Sequence, residues 1–305
     1  MAERAVILAT AGYDHTIRFW QAPTGVCQRS IPCADSQVNC LETTPDKQYI
    51  VATGNPWIRL YDCHANNANP VMSYNGHTSN VTGAGFQRDS KWMYTCSEDG
   101  TVKIWDLRAP GFQRDYQCKA PVNSVVLHPN QGELICVGED GVLRIWDLAA
   151  NTCSTELIPD GTTPLRSVTM ASDASTVIAA NNNGSCFVWN TGASRGVVPT
   201  PAHRLDAHNT TILKCLLSPD TKILATTSAD HTIKLWDTTK GFSPLHVLKG
   251  HVGWVWSCAF SADSAYIVSA ASDKCAKLWD IRTGEAILDY RAHNKPLTAV
   301  ALNDS

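Results

Sequence analysis

Hydrophobic and polar positions alternate along this chain in short bursts. From 251 to 290, HVGWVWSCAFSADSAYIVSAASDKCAKLWDIRTGEAILDY sets apolar or β-branched runs between clusters of Asp, Ser and Gly. A period of two, bounded by turn formers, predicts four short antiparallel strands, and no helical period competes with it. Turns such as Pro45-Asp46, Pro129-Asn130, Pro219-Asp220 and Ala262-Asp263 follow the first strand of a unit, where Pro or Asp starts a tight turn.

The unit repeats. RFWQ, RLYD, KIWD, RIWD, FVWN, KLWD and KLWD are centred on Trp20, Tyr61, Trp105, Trp146, Trp189, Trp236 and Trp279, at spacings of 41 to 47 residues. That period fits a four-stranded propeller blade, and seven copies predict an all-β, seven-bladed WD40-type β-propeller spanning 1–305 as one domain. Only second, third and fourth strands can be found at the start of the chain, in ILATAGYDHTIRFW and VCQRSI. The missing first strand is expected at Pro296–Leu302, so the C-terminal strand should pair into the N-terminal blade and close the ring.

Six residues before each Trp or Tyr stands Asp14, Asn55, Asp99, Asp140, Asn183, Asp230 or Asp273, while His77, His208, His251 and His293 precede first strands. In WD-repeat proteins, which these repeats resemble, such Asp and His side chains join a strand Ser or Thr and the Trp in a buried hydrogen-bond network. The resemblance implies that role here for Asp14, Trp20, His77, Asp99, Trp105, Asp140, Trp146, His208, Asp230, Trp236, His251, Asp273, Trp279 and His293. A satisfied network fixes one geometry, whereas a hydrolytic triad repeated around a ring has no single nucleophile. The weakest repeat, 147–190, has Pro159-Asp160 where a His is expected.

Composition narrows the function. Lys plus Arg number 25 against 28 Asp plus Glu, a net charge of -3 without the basic excess of a nucleic-acid binder. No apolar run approaches a membrane span or a signal-peptide core, so a cytosolic or nuclear protein is expected. The twelve cysteines contain no C-x-x-C, and most of them, such as Cys40, Cys136, Cys186, Cys215 and Cys258, fall inside apolar strand-like runs and read as reduced, buried small hydrophobes. There is no G-x-S-x-G elbow, phosphate-binding loop or H-E-x-x-H, so no catalysis, metal, cofactor or small-molecule substrate is expected.

The repeat register also places a partner face. Positions flanking the first apolar residue of each inner strand should ring the channel mouth, among them Gln37, Asn39, Trp254, Trp256 and Thr298, and the turns add Tyr13 and Trp57. Four aromatics would share one sector. Two readings of Trp254 and Trp256 stand: interface anchors, or filler of the inner wall. Tyr13 and Trp57, on turns with little core to fill, are expected to be exposed.

Particular stretches resemble one family, the small propeller subunit of the TOR (target of rapamycin) kinase complexes, or G-protein-β-like protein: ILATAGYDHTIRFWQAPTGVC (7–27), DSQVNCLETTPD (35–46), WMYTCSEDG (92–100), LHPNQGELI (127–135) and LNDS at the end. The resemblance implies a constitutive, non-catalytic scaffold in both TOR complexes, docked on the kinase catalytic domain and stabilising it alongside the other subunits. Tyr13, Gln37, Asn39, Trp254 and Trp256 fall on matched positions. TGASRGVVPTPAHR (191–204) and the loop before Trp254 differ from the animal members, and Trp57 is no hallmark of the family. A competing class is a substrate receptor of a cullin-RING ubiquitin ligase, whose Trp-Asp-x-Arg motif occurs as Trp105–Arg108 and Trp279–Arg282.

Overall fold

The computed structural model describes residues 6–33, 35–109, 111–192, 194 and 196–305. The first five residues of the N-terminal run, and two positions of the 191–204 segment, lie outside them. The described residues form seven four-stranded antiparallel sheets and one short 3-10 turn at Thr238–Lys240. Each sheet is a blade, named here by the aromatic of its third strand.

The Trp279 blade shows the plan: strands Val255–Phe260, Tyr266–Ala271, Ala276–Asp280 and Glu285–Tyr290 run from the channel outwards. The second strand, YIVSAA, is buried almost throughout because sheets cover both its faces, whereas the outer strand, EAILDY, is largely exposed. Hydrophobic cores lie between neighbouring blades. Leu8, Trp20 and Leu297 pack with Val268, Ala270 and Tyr290 across one such seam.

The ring closes as the repeat grammar requires. Leu297–Asn303 pairs antiparallel with Ile7–Gly12, Ala9 opposite Ala301, and supplies the innermost strand of the Trp20 blade.

One irregularity recurs near the start of the inner strand in six blades. The register shifts by one residue, leaving Thr82, Asn123, Arg166, Leu213, Trp256 and Thr298 without a partner on the second strand. A bulge of this kind turns its extra side chain away from the regular alternation. All six bulge residues line the central channel.

Candidate protein interface at the channel mouth

Four blades carry the complete buried network. His293 Nδ1 meets Asp14 Oδ2 at 2.7 Å and its Nε2 meets Thr10 Oγ1 at 2.8 Å, while Trp20 Nε1 donates to the same hydroxyl at 2.7 Å. The same arrangement joins His77, Asp99, Thr95 and Trp105; His208, Asp230, Thr226 and Trp236; and His251, Asp273, Ser269 and Trp279. The strand hydroxyl missing from the sequence reading is thus Thr10, Thr95, Thr226 or Ser269. Burial works against each Asp anion, but the hydrogen bonds it accepts from its His and turn outweigh this and hold its carboxyl below 3.8.

Asp140 and Trp146 depart from expectation. Asp140 instead pairs with Arg144, Oδ2 to Nη2 at 2.5 Å, and Arg144 Nε also donates to Glu156 at 3.0 Å. Trp146 Nε1 is buried with no hydrogen-bond partner of ordinary geometry. Two thiols are the cause: Cys118 stands at the histidine's position, four residues before Val122, and Cys136 at that of the hydroxyl, ten residues before Trp146, where the neighbouring blades place the acceptor of the indole N–H. In the Trp189 blade Asn181 takes over, donating to Asp160 at 3.0 Å and accepting the backbone N–H groups of Asn183 and Ser185.

At the mouth, Tyr13 and Trp254 are 42% and 48% exposed, while Trp256 is half-buried, its N–H held by Ser272 Oγ at 2.8 Å. The Trp254 and Trp256 rings sit 5.6 Å apart at 51°. Both Trp side chains and Tyr13 line the mouth together. Trp254 therefore has the exposure that the anchor reading requires, and Trp256 lies between the open rim and the inner wall.

Trp57 contradicts the expectation of an exposed turn aromatic. It is 7% exposed, its N–H donates to Ser36 Oγ at 2.9 Å, and Arg59 covers its ring at 4.7 Å. The side chain folds back over Gly54, where a Cβ would lie 2.3 Å from the indole. Three aromatics, not four, share the sector. Val252, 81% exposed on the loop before Trp254, is an apolar neighbour that the repeat register did not single out.

The rest of the mouth is polar and largely spoken for. Thr298 donates to the Val38 carbonyl, Asn39 to that of Val81 at 3.3 Å, Thr82 to that of Val122 at 2.7 Å and Asn123 to that of Leu165 at 2.8 Å. These polar side chains stitch five consecutive inner strands together, so Asn39 and Thr298 line the mouth but spend their hydrogen bonds within the ring. Gln37 Nε2 reaches Asn80 Oδ1 at 3.4 Å, and Arg166 is paired with Glu139 at 2.9 Å and with Asn182 Oδ1 at 2.8 Å.

The channel encloses about 790 Å³. Inside it Glu42 is open to channel water yet walled by protein on every side; this enclosure, only partly offset by the Lys214 charge, pushes its carboxyl up to about 7. Lys214 Nζ in turn rests 3.4 Å from Ser257 Oγ. Among the described residues no group of three or more His, Cys, Asp or Glu is placed to hold a metal ion, and no helix is long and apolar enough to cross a membrane.

Seven four-stranded blades, four of them with the complete His–Asp–hydroxyl–Trp network, define a WD-repeat β-propeller. The family model described as "WD domain, G-beta repeat" matches residues 25–62, 68–106, 112–147, 199–237 and 242–280. Over 304 residues the chain is 54% identical to the target of rapamycin complex subunit LST8 of Saccharomyces cerevisiae, covering 98% of this chain and 99% of that one. It is 51% identical over 304 residues to the target of rapamycin complex subunit wat1 of Schizosaccharomyces pombe, covering 99% and 97%. To the LST8 homolog of Dictyostelium discoideum it is 59% identical over 233 residues, 76% of this chain and 77% of that one. The chain belongs to the LST8 family of WD-repeat proteins.

Proposed function

We propose that this propeller is a non-catalytic subunit of TOR serine/threonine kinase complexes in growth-control signalling, and that it binds and stabilises the kinase catalytic domain through the Tyr13, Trp254 and Trp256 sector. The relatives named as TOR complex subunits support the complex. The observation that carries the site is the pair of exposed aromatics, Tyr13 and Trp254, on a rigid rim where the other polar side chains are already hydrogen-bonded. Exposed aromatics on a preorganised surface concentrate binding energy. The complex works in the cytoplasm, with a share at endomembranes and in the nucleus.

The cullin-receptor reading uses the opposite face. Arg108 and Arg282 follow third strands that begin at the mouth turns and end on the other side of the ring, and Arg108 is folded back on its own Asp106 through two bonds of 2.9 and 2.7 Å. Purification of the tagged protein with its partners, from cells carrying either Trp254→Ala with Trp256→Ala or Arg108→Ala with Arg282→Ala, separates the two. Loss of a TOR kinase from the first variant alone is the expected result; loss of a cullin adaptor from the second alone overturns the proposal.

A further inference from the structure

The Trp146 blade holds two thiols where its neighbours hold a histidine and a hydroxyl. Cys118 precedes Cys136 by 18 residues, the separation of His77 from Thr95, of His208 from Thr226 and of His251 from Ser269. The two sulfurs touch at 3.9 Å. Cys118 is half-buried on the loop entering the first strand, whereas Cys136 is 1% exposed at the centre of the second. The groups around them are the Trp146 N–H, which lacks a well-formed acceptor, and the Arg144–Asp140 ion pair.

We propose that Cys118 and Cys136 form a reversible, peroxide-sensitive dithiol that converts to a disulfide within the blade. The Cys118 thiolate attacks one peroxide oxygen, breaking the O–O bond and releasing hydroxide, which takes up a proton to leave as water. The resulting sulfenic acid is then attacked by the Cys136 sulfur, whose thiol is held well above its usual range by its contact with Cys118 and by burial; the S–S bond forms, the S–O bond breaks, and the departing hydroxide takes the Cys136 thiol proton to leave as a second water. Two thiols are oxidised and one peroxide is reduced to two waters. A hydrogen bond from Cys136 holds the Cys118 thiol below its usual range, with the Arg144 charge acting in the same sense against burial, so the accessible thiol is the one suited to attack first. Burial pushes Cys215 up to about 12, which makes it an internal control.

Bond formation requires the sulfurs to close from 3.9 Å to about 2.05 Å; Cys118 lies on the entry loop, outside the regular strands, its backbone anchored by its N–H to the Gly100 carbonyl at 2.7 Å, so rotation of its side chain makes most of the approach. That loop continues to Pro121, whose carbonyl accepts the Glu139 N–H at 2.9 Å, and Glu139 holds Arg166 at the mouth. Closure therefore pulls on the polar side of the rim. In a reducing compartment such a pair stays dithiol at rest and forms its bond only transiently.

The test treats the purified full chain with hydrogen peroxide, alkylates the remaining thiols and maps peptides without reduction. The expected result is a Cys118–Cys136 linked peptide that dithiothreitol abolishes, forming on the order of tenfold faster than any oxidation of Cys215. Cys136→Ser places there the residue that the Trp279 blade uses at Ser269, so the fold has a precedent; its Cys118 should accumulate a sulfenic acid captured by dimedone. Oxidation of Cys118 no faster than that of Cys215, or its passage to sulfinic acid in the unsubstituted chain without the linked peptide, overturns the proposal.

Discussion

His293 and Asp14 are 279 residues apart in sequence and 2.7 Å apart in space. Their bond joins the innermost strand of the Trp20 blade to the turn between its second and third strands. Deletion of residues 292–305 removes that strand, frees the edge of Ile7–Gly12 and uncovers the seam against Tyr290. The expected outcome is loss of the cooperative thermal transition of the whole ring; a truncated chain that melts like the full one refutes closure as the source of stability. His293→Ala alone leaves Asp14 and Thr10 short of a partner and should cost about 2 kcal/mol in chemical unfolding.

Trp254 and Trp256 should separate binding from stability. Trp254→Ala removes an exposed ring and is expected to weaken kinase binding by about 2 kcal/mol, roughly thirtyfold in Kd, with an unchanged melting temperature. Trp256→Ala also breaks the bond to Ser272 and should lower both. Titration of each purified variant against the kinase domain, beside its thermal melt, gives the two numbers.

Trp57 is expected to do the reverse. Its ring fills space over Gly54 and under Arg59, so Trp57→Ala should cost about 3 kcal/mol of stability while the folded variant binds partners as before. Gly54→Ala should be comparably damaging, because the added methyl overlaps the indole. Denaturant titration and partner capture together check both.

Acid should weaken the ring in two stages. Burial pushes His77 and His208 below 6.5 against the opposing pull of Asp99 and Asp230, so both stay neutral in the fold where the unfolded chain takes up protons. Stability is full above 6.5 and falls as pH drops toward their folded values, by at most about 1.4 kcal/mol per pH unit for each. The depressed carboxyls Asp14, Asp99, Asp230 and Asp273 add a second loss below 3.8. Denaturant midpoints measured from pH 8 to 5 should decline below 6.5, and His208→Gln should flatten that slope.

The repeat was legible because seven copies multiply a signal that is weak in any one. Spacing carried the Tyr61 and Trp189 blades even where Trp or Asp had been replaced, and the lone strand at 297–303 could be assigned because the N-terminal blade lacked one. The bulge positions were legible as flanking residues, but not the use of their side chains: whether Asn123 reaches solvent or the Leu165 carbonyl depends on the gap between two blades. Trp57 was misread because a turn was equated with exposure. Its signal was the bare Gly54 three residues earlier, which leaves room for an indole to fold back. The Cys118–Cys136 pair was open to detection by alignment of the repeats, since its 18-residue separation is that of the histidine and its hydroxyl, but a search for C-x-x-C spacing passes over it.

The closing strand sets a schedule for the protein's birth. Ile7–Gly12 leaves the ribosome early, and its inner neighbour, Leu297–Asn303, is the last strand to be made. At about 5–20 residues per second the interval is on the order of tens of seconds. Throughout it, six blades can stack while the seventh presents a bare backbone edge, and the loop finally closed spans nearly the whole chain, among the slowest kinds of contact to form. The nascent ring is thus most exposed to wrong pairing at the moment before its last strand docks.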